Sequence, residues 1–303
     1  MLKFPIILIK HNTKIDFLKQ RFFAYGISIL LTLATLIGIF TKGLNFGIDF
    51  TGGVIMEISN PVHISADVMR NFLSDANYHK TVIQHDNKGN IIIRLQPKNE
   101  SDHAVEIEHL KSEISKKFSN TDFRKIDYVG PKIGYELIGK SILAVLLALV
   151  AMMIYVTIRF DWVSGVGVIV ALLHDIIITI GFYIVSEFEF DLTSIAAILT
   201  IIGYSVNDSV VIYDRIRENL RKHPKKTIFA IINLSINETL ARTTMTAATT
   251  LVVCLALVIF GGTALKGFGA ALFFGIAFGT YSSIYISAPL LTLFHKNATI
   301  KSV

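Results

Sequence analysis

Two charged side chains, Asp208 and Arg242, occur inside long apolar segments of the chain. Asp208 lies in the run from Gly203 to Val211, and Arg242 opens a further apolar segment. An ionisable side chain at the depth of a bilayer costs about 2.5 kcal/mol or more, so it persists only where it is paired, faces a cavity or performs ion chemistry. Opposite charges on consecutive spans therefore predict a proton or ion relay centred on this pair.

Polar residues accompany both charges. Ser205 and Asn207 flank the aspartate, while Thr243 and Thr246 follow the arginine on a stripe of hydroxyl residues at three- and four-residue spacing. If the arginine moves, the carboxyl could switch between holding and releasing a proton. A static buried ion pair that only orients the two helices is the alternative.

A second polar pair, His174-Asp175, interrupts another apolar segment. Two interpretations stay open for it. The pair could extend the relay, or it could form a hydrogen bond that ties its helix to neighbouring helices.

The composition identifies an integral membrane protein. The 303 residues are 52% hydrophobic, and the mean hydropathy is +0.57, which is too apolar for an ordinary soluble domain. Six segments are near or above the roughly 18 residues that a spanning helix needs. We expect transmembrane helices at 22–41, 137–158, 162–186, 192–213, 239–265 and 267–294.

The distribution of positive charge predicts the orientation. Five cations precede the first span, with no small-residue cleavage site after it, so we expect an uncleaved anchor with residues 1–21 in the cytoplasm. The loop 214–238 and the tail 295–303 are also basic and are predicted to be cytoplasmic. The net charge of +6 is mainly a topology signal, with the lipid bilayer and its anionic headgroups as partner. Nothing in the sequence indicates nucleic-acid binding.

Residues 42–136 are polar and long enough for one compact extracytoplasmic domain between helices 1 and 2. Periodicity predicts strand, helix, strand, strand, helix and strand in that order, which is the ferredoxin-like α+β arrangement. The predicted elements are 50–59, 65–76 with Ser65 as N-cap, 81–84, 91–96, 102–118 and 123–129. The apolar face of the second helix is predicted to consist of Val105, Ile107, Leu110, Ile114 and Phe118. Gly52-Gly53 is interpreted as a backbone bend at the start of the first strand.

The domain carries no catalytic signature. Its histidines lack the spacing of a metal site, and neither a nucleophile-base pair nor a phosphate loop is evident. The single cysteine, Cys254, is predicted to be a packing residue. We therefore expect no enzyme, no metal and no cofactor, and a binding or lever role for the domain.

Four long motifs resemble the SecD/SecF family of protein-export membrane proteins, part of the resistance-nodulation-division superfamily. They are Gly47-Ile48-Asp49-Phe50-Thr51-Gly52-Gly53, Val129-Gly130-Pro131-Lys132-Ile133-Gly134, residues 193–219 and residues 236–246. The segment Gly279-Thr280-Tyr281-Ser282-Ser283 adds to them. The resemblance covers nearly the whole chain.

The resemblance implies that this chain is one six-helix half of a pair whose other half is SecD. It further implies a bacterial inner-membrane complex that helps the SecYEG channel draw unfolded preproteins outward with the protonmotive force, after the ATP-driven stage. Asp208 and Arg242 match the family's proton-pathway residues. Two alternatives are half of a proton-driven exporter of small molecules or lipids, and a passive scaffold of the translocon.

Overall fold

The computed structural model describes residues 13–59, 64–76, 78, 81–85, 90–95 and 103–294. Within them the chain forms two compact units, one made of residues 46–142 and the other of the flanking segments. Six helices in the described part of the chain are long and apolar enough to cross a membrane, as the sequence predicts.

The membrane unit contains the helices α1 (Arg21–Thr41), α6 (Trp162–Ser186), α7 (Leu192–Lys222), α8 (Ile228–Phe260) and α9 (Gly262–Ser282). A π-helical turn (Ser283–Ser287) and α10 (Ala288–Phe294) continue α9, and α5 (Pro131–Arg159) enters from the other unit. About half of the apolar stretch of α6, α7 and the α9–α10 span is buried, against 11–17% for the other three spans. The first three are therefore the centre of the bundle.

Side-chain caps fix where several helices begin. Asp161 accepts a hydrogen bond from the Ser164 amide (2.7 Å) at the start of α6, and Asp191 accepts one from Ser194 (2.9 Å) at the start of α7. Thr227 caps α8. Short polar residues at these positions satisfy amides that have no partner inside the helix.

Two boundaries differ from the sequence-based expectation. The segment 214–238, predicted as a loop, is mostly helical, because α7 continues to Lys222 and α8 begins at Ile228. The turn between the last two spans lies at Gly261-Gly262 rather than at residue 266, since Gly262 adopts a φ of +66° that favours glycine. The charged residues of 214–238 show where α7 and α8 leave the apolar region, and they do not show where the helices end.

The other unit contains α2 (Ile48–Thr51), β1 (Gly53–Ser59), α3 (Ala66–Asp75), β2 (Thr81–His85), β3 (Ile91–Leu95), α4 (His103–Lys117) and β4 (Asp122–Val129). In the described residues its sheet has the order β2-β3-β1-β4, with every pairing antiparallel. Met56 of β1 stands opposite Ile93 and Ile126.

One face of the sheet packs against both helices. Met56 and Ile93 join Met69 and Leu73 of α3 and Ile114 of α4 in a fully buried core. The N-cap of α3 is Ser65, which accepts from the Val68 amide (3.3 Å), as predicted.

Two details of this unit were predicted wrongly. Val105 was assigned to the apolar face of α4 but is 70% exposed. The first strand begins at Gly53 rather than at residue 50, because residues 48–51 form a helical turn. Gly52 and Gly53 follow with φ of +70° and +123°, a conformation that side chains with a Cβ rarely adopt.

Candidate functional site

Polar side chains from α6, α7 and α9 meet at the centre of the membrane unit. Asp175, Ser205, Asp208 and Ser282 are each at most 1% exposed. Small residues on α9 permit this approach, since a Cβ at Gly279 would lie 3.3 Å from Ser205 Cβ. Buried polar groups must satisfy one another, so their partners define what the cluster can do.

Asp175 ties three helices together. Its Oδ2 accepts hydrogen bonds from Ser205 Oγ of α7 (2.7 Å) and from Ser282 Oγ of α9 (2.8 Å). Its Oδ1 lies 3.1 Å from Nδ1 of His174 on its own helix. The geometry is that of the tie between helices, one of the two interpretations that the sequence left open.

The His174 ring points toward α9 and α1. Its Nε2 is buried with no hydrogen-bond partner among the described residues, and its ring centroid lies 6.3 Å from that of Tyr281. Tyr281 in turn donates its hydroxyl to the Ala24 carbonyl of α1 (2.7 Å). This side of the cluster therefore connects α6 to α1 through aromatic contact rather than through a continuous hydrogen-bonded chain.

Asp208 has a sparser environment than Asp175. The described contacts give it one hydrogen bond, from Thr280 Oγ1 of α9 to Oδ2 (3.2 Å). Within the described residues no cation lies within ion-pairing distance of its carboxylate. A buried carboxylate with so little compensation is strongly favoured to bind a proton or to receive a charged partner.

Arg242 does not form the static ion pair that was weighed as an alternative. It is exposed on α8 and lines a cleft with Asp214, Glu238 and Thr239, among others. The cleft reaches Asp214 of α7, which lies six residues along the same helix from Asp208. The two charges therefore belong to one region without touching.

The accompanying polar residues separate into two groups. Asn207 is exposed on α7, on the outer surface of the unit, whereas Thr243 is buried with no partner for its hydroxyl among the described residues. The Thr246 hydroxyl donates hydrogen bonds to the backbone carbonyls of Arg242 (3.2 Å) and Thr243 (2.9 Å) on the same helix. Part of the predicted stripe of hydroxyl residues on α8 therefore forms hydrogen bonds with the backbone of its own helix.

The π-helical turn supplies partners that the sequence did not reveal. Ser209 donates to Ser283 Oγ (3.1 Å), and Ser283 donates to the Ser205 carbonyl (3.2 Å). Tyr213 donates to the Ser287 carbonyl (3.1 Å). π-helical turns are rare and frequently occur at functional sites.

The roles of Thr280 and Ser282 were also missed, although both stand in a motif that the resemblance includes. Gly275, Gly279, Ser283 and Ser287 form a stripe of small residues, one at every fourth position, and this stripe faces helices of this same chain. A Cβ at Gly275 would collide with Ile201 of α7. Thr280 and Ser282 follow Gly279 of the stripe by one and three residues. Their polar side chains beside a helix-packing surface were the sequence signal for their roles.

Charged residues join α7 to α8 at the end of the bundle that contains residues 214–238. Glu238 accepts from Arg215 Nε (2.7 Å) and from Asn219 Nδ2 (2.6 Å), while Asp214 pairs with Arg159 (2.9 Å). Among the described residues no group of three or more His, Cys, Asp or Glu side chains could hold a metal ion.

Two family models match the chain. The model for the C-terminal part of protein export membrane protein SecD/SecF matches residues 109–297, which include every residue of the polar cluster. The chain belongs to the SecD/SecF family. The model for the SecD/SecF GG motif matches residues 37–59, and the two positive φ angles at Gly52 and Gly53 explain its glycines.

Curated relatives extend the match over the full chain. The protein translocase subunit SecF of Rickettsia bellii (strain OSU 85-389) is 46% identical over 293 residues, covering 96% of this chain and 97% of the relative. The protein translocase subunit SecF of Rickettsia felis is 44% identical over 302 residues, covering 99% and 98%.

Solved structures share the fold. SecDF, a translocon-associated membrane protein from Thermus, matches with a TM-score of 0.86 and 34% identity over 96% of this chain. SecDF in a super-membrane-facing form matches with a TM-score of 0.71 and 35% identity. This chain spans 40% of each of those longer chains.

Proposed function

We propose that this chain is a non-enzymatic subunit of the Sec protein-export machinery that works with SecD. In this proposal it uses the protonmotive force to promote late, ATP-independent stages of preprotein translocation through SecYEG. The observation that carries the proposal is Asp208, a buried carboxylate with a single described hydroxyl donor, beside an arginine that is not paired with it. Membership of the SecD/SecF family supports the export role.

Asp208 is the proposed proton-binding group and Arg242 the group that controls it. When the arginine approaches, the ionised carboxylate is stabilised and releases its proton; when it withdraws toward the cleft, burial favours the protonated form. Asp214 lines that cleft six residues further along α7, which is about 9 Å of helix. Water entering from that end is therefore near the carboxyl.

Transfer of a proton across the membrane releases about 2.3 kcal/mol per 100 mV. That energy can bias a conformational step if only one conformation exposes the site to each side. His174-Asp175 serves in this proposal as the fixed tie of the bundle, because its carboxylate is already saturated with hydrogen bonds to α7 and α9.

The outer surface of the unit supports SecD as partner. Gly203, Asn207 and Arg242 are exposed on α7 and α8 in helices apolar enough to cross a membrane. Polar groups that face lipid are costly, so a second subunit with polar helix faces is the expected cover. The small-residue stripe of α9 gives no such support, because its partners are α6 and α7.

For residues 42–136 we propose a ferredoxin-like domain on the extracytoplasmic side, which contacts unfolded preprotein. The antiparallel order β2-β3-β1-β4 with α3 and α4 packed on one face supports the fold. The excess of Lys and Arg in residues 1–21, 214–238 and 295–303 supports a cytoplasmic position of these segments and of both termini. Membership of the SecD/SecF family supports a bacterial inner-membrane location.

The test compares Asp208→Asn and Arg242→Ala with the wild-type complex in vesicles that import a preprotein with and without a proton gradient. Both variants should bind SecD and keep ATP-driven translocation, while the gradient-dependent part of export falls to background. Asparagine retains an acceptor for Thr280, so the loss reports the missing proton and not a missing contact. Asp191→Asn is the matched control, because it makes the same exchange at the N-cap of α7, where asparagine caps equally well.

Export by Asp208→Asn that remains as sensitive to an uncoupler as the wild type would refute the proton role of this residue. Export by Asp208→Asn at the full wild-type level would support the scaffold alternative, which predicts that this carboxylate can be neutralised without loss.

A further inference from the structure

The segment before α1 is held against α8 by two asparagine side chains. Asn237 Oδ1 accepts from the Ile15 amide (2.9 Å), and its Nδ2 donates back to the Ile15 carbonyl (2.8 Å). One turn earlier, Asn233 Oδ1 accepts from the Phe17 amide (2.9 Å). The asparagine side chains thus bind backbone amide and carbonyl groups of the segment that precedes α1.

Side chains of the same segment reinforce this attachment. Phe17 and Leu18 are 6% and 3% exposed, and the Phe17 ring contacts Tyr285 of the π-helical turn with centroids 5.9 Å apart. Arg21, at the start of α1, donates to the Leu18 carbonyl (2.9 Å) and stacks its guanidinium on Phe229 of α8 at 5.1 Å. Residues 13–20, which we term the N-terminal strap, therefore connect α1, α8 and the π-helical turn.

The strap is attached close to Arg242. Asn237 precedes the arginine by five residues of continuous helix, which is about 7.5 Å along the axis. The Asn237 side chain is buried, and its amide nitrogen is satisfied by the Ile15 and Asn233 carbonyls. Release of the strap would leave that buried amide partly unsatisfied, so the bound strap favours the position of α8 in which these hydrogen bonds form.

We infer that the N-terminal strap sets the position of α8, and with it the position of Arg242 relative to Asp208. Asn233 and Asn237 are positioning residues, since they act through the arginine and do not touch the carboxyl. This inference rests on the proposed function of Asp208 and Arg242. In these hydrogen bonds α8 contributes the asparagine side chains and the strap contributes only backbone groups.

The test alters the strap without altering α8. Ile15→Pro removes the amide that donates to Asn237, and the Ile15 side chain is 43% exposed, so little packing is lost. Lys14→Pro is the matched control, because the Lys14 amide has no partner among the described residues. Asn233→Ala and Asn237→Ala break the same bonds from the α8 side, which gives a second route if the proline variant fails to accumulate.

Gradient-dependent export in the complex with SecD should fall by roughly two- to tenfold in Ile15→Pro and Asn237→Ala, the factor that one hydrogen bond represents. ATP-driven translocation should stay at the wild-type rate. The pH profile of gradient-dependent export should shift in the same direction as that of Arg242→Lys, by a smaller amount. A residue that only held the fold together would not move that profile.

Wild-type export and an unchanged pH profile in Ile15→Pro, Asn233→Ala and Asn237→Ala would overturn the inference. An equal loss of ATP-driven and gradient-dependent export would also overturn it, since the strap would then be a general structural element. If Arg242→Ala itself keeps gradient-dependent export, the proposed function fails, and that result is separate from any result on the strap.

Discussion

Replacement of Asp175 distinguishes a structural tie from a proton carrier. In Asp175→Asn, the amide oxygen can accept from the Ser205 and Ser282 hydroxyls, and the NH₂ group can donate to His174 Nδ1 when the imidazole proton moves to Nε2. In Asp175→Ala the Ser205 hydroxyl and His174 Nδ1 lose their described partner, whereas Ser282 can still donate to the Gly279 carbonyl (3.0 Å). We expect the first variant to keep both stability and export, and the second to lose both.

The magnitude follows from the contacts. Three hydrogen bonds at 2.7, 2.8 and 3.1 Å meet the Asp175 carboxylate, which is 1% exposed. A buried donor that loses its partner costs about 1–3 kcal/mol. Asp175→Ala should therefore destabilise the helix bundle by about 4 kcal/mol, and Asp175→Asn by about 1 kcal/mol.

The assay is unfolding of the purified SecD complex by increasing SDS in mixed detergent, followed by export in vesicles. The combined change Asp175→Ala, Ser205→Ala and Ser282→Ala supplies an internal check. The triple variant should be more stable than Asp175→Ala alone, mainly because it removes the unpaired Ser205 hydroxyl and so avoids its desolvation cost. The Ser282 hydroxyl contributes less, since it keeps the Gly279 carbonyl as acceptor (3.0 Å).

Two results would refute this reasoning. Asp175→Asn that is as stable as the wild type but exports nothing in response to the gradient would show that the carboxyl itself carries protons. Asp175→Ala that unfolds at the wild-type SDS concentration would show that the hydrogen bonds do not tie the helices.

Three further outcomes follow from the geometry. Gly53→Ala should destabilise the 46–142 domain by about 1–3 kcal/mol, because φ is +123° there; a thermal unfolding curve of the complex equal to the wild type would contradict this. Gly275→Ala should cost about 1–3 kcal/mol by collision with Ile201, and the added change Ile201→Val should recover part of it in the same SDS assay. The hydrogen bond from Lys42 lowers the pKa of Glu187, so any stabilisation by this pair is present above the ordinary glutamate pKa and disappears as the pH falls through the lowered value. Both side chains are largely exposed, so Glu187→Gln should leave unfolding at neutral pH unchanged, and a clear loss would contradict the assignment of a surface pair.

The sequence by itself determined the six apolar helices, the two charges inside them and the alternation of strands and helices in residues 42–136. These features are local. A spanning segment must satisfy its own backbone hydrogen bonds in lipid, so its length and apolarity identify it without reference to any neighbour. The Ser65 N-cap and the glycine bend at Gly52-Gly53 are likewise encoded within a few residues.

The tertiary structure decided which faces of those helices meet. Asp175 finds Ser205 and Ser282, which are 30 and 107 residues away in sequence, and Arg242 is turned outward instead of toward Asp208. A helix that is apolar on all sides carries little signal about its rotation, because lipid and protein interior are equally acceptable surroundings for its side chains. Rotation is fixed only when small residues, buried hydroxyls and the strap are brought together, and those contacts join residues far apart in the chain.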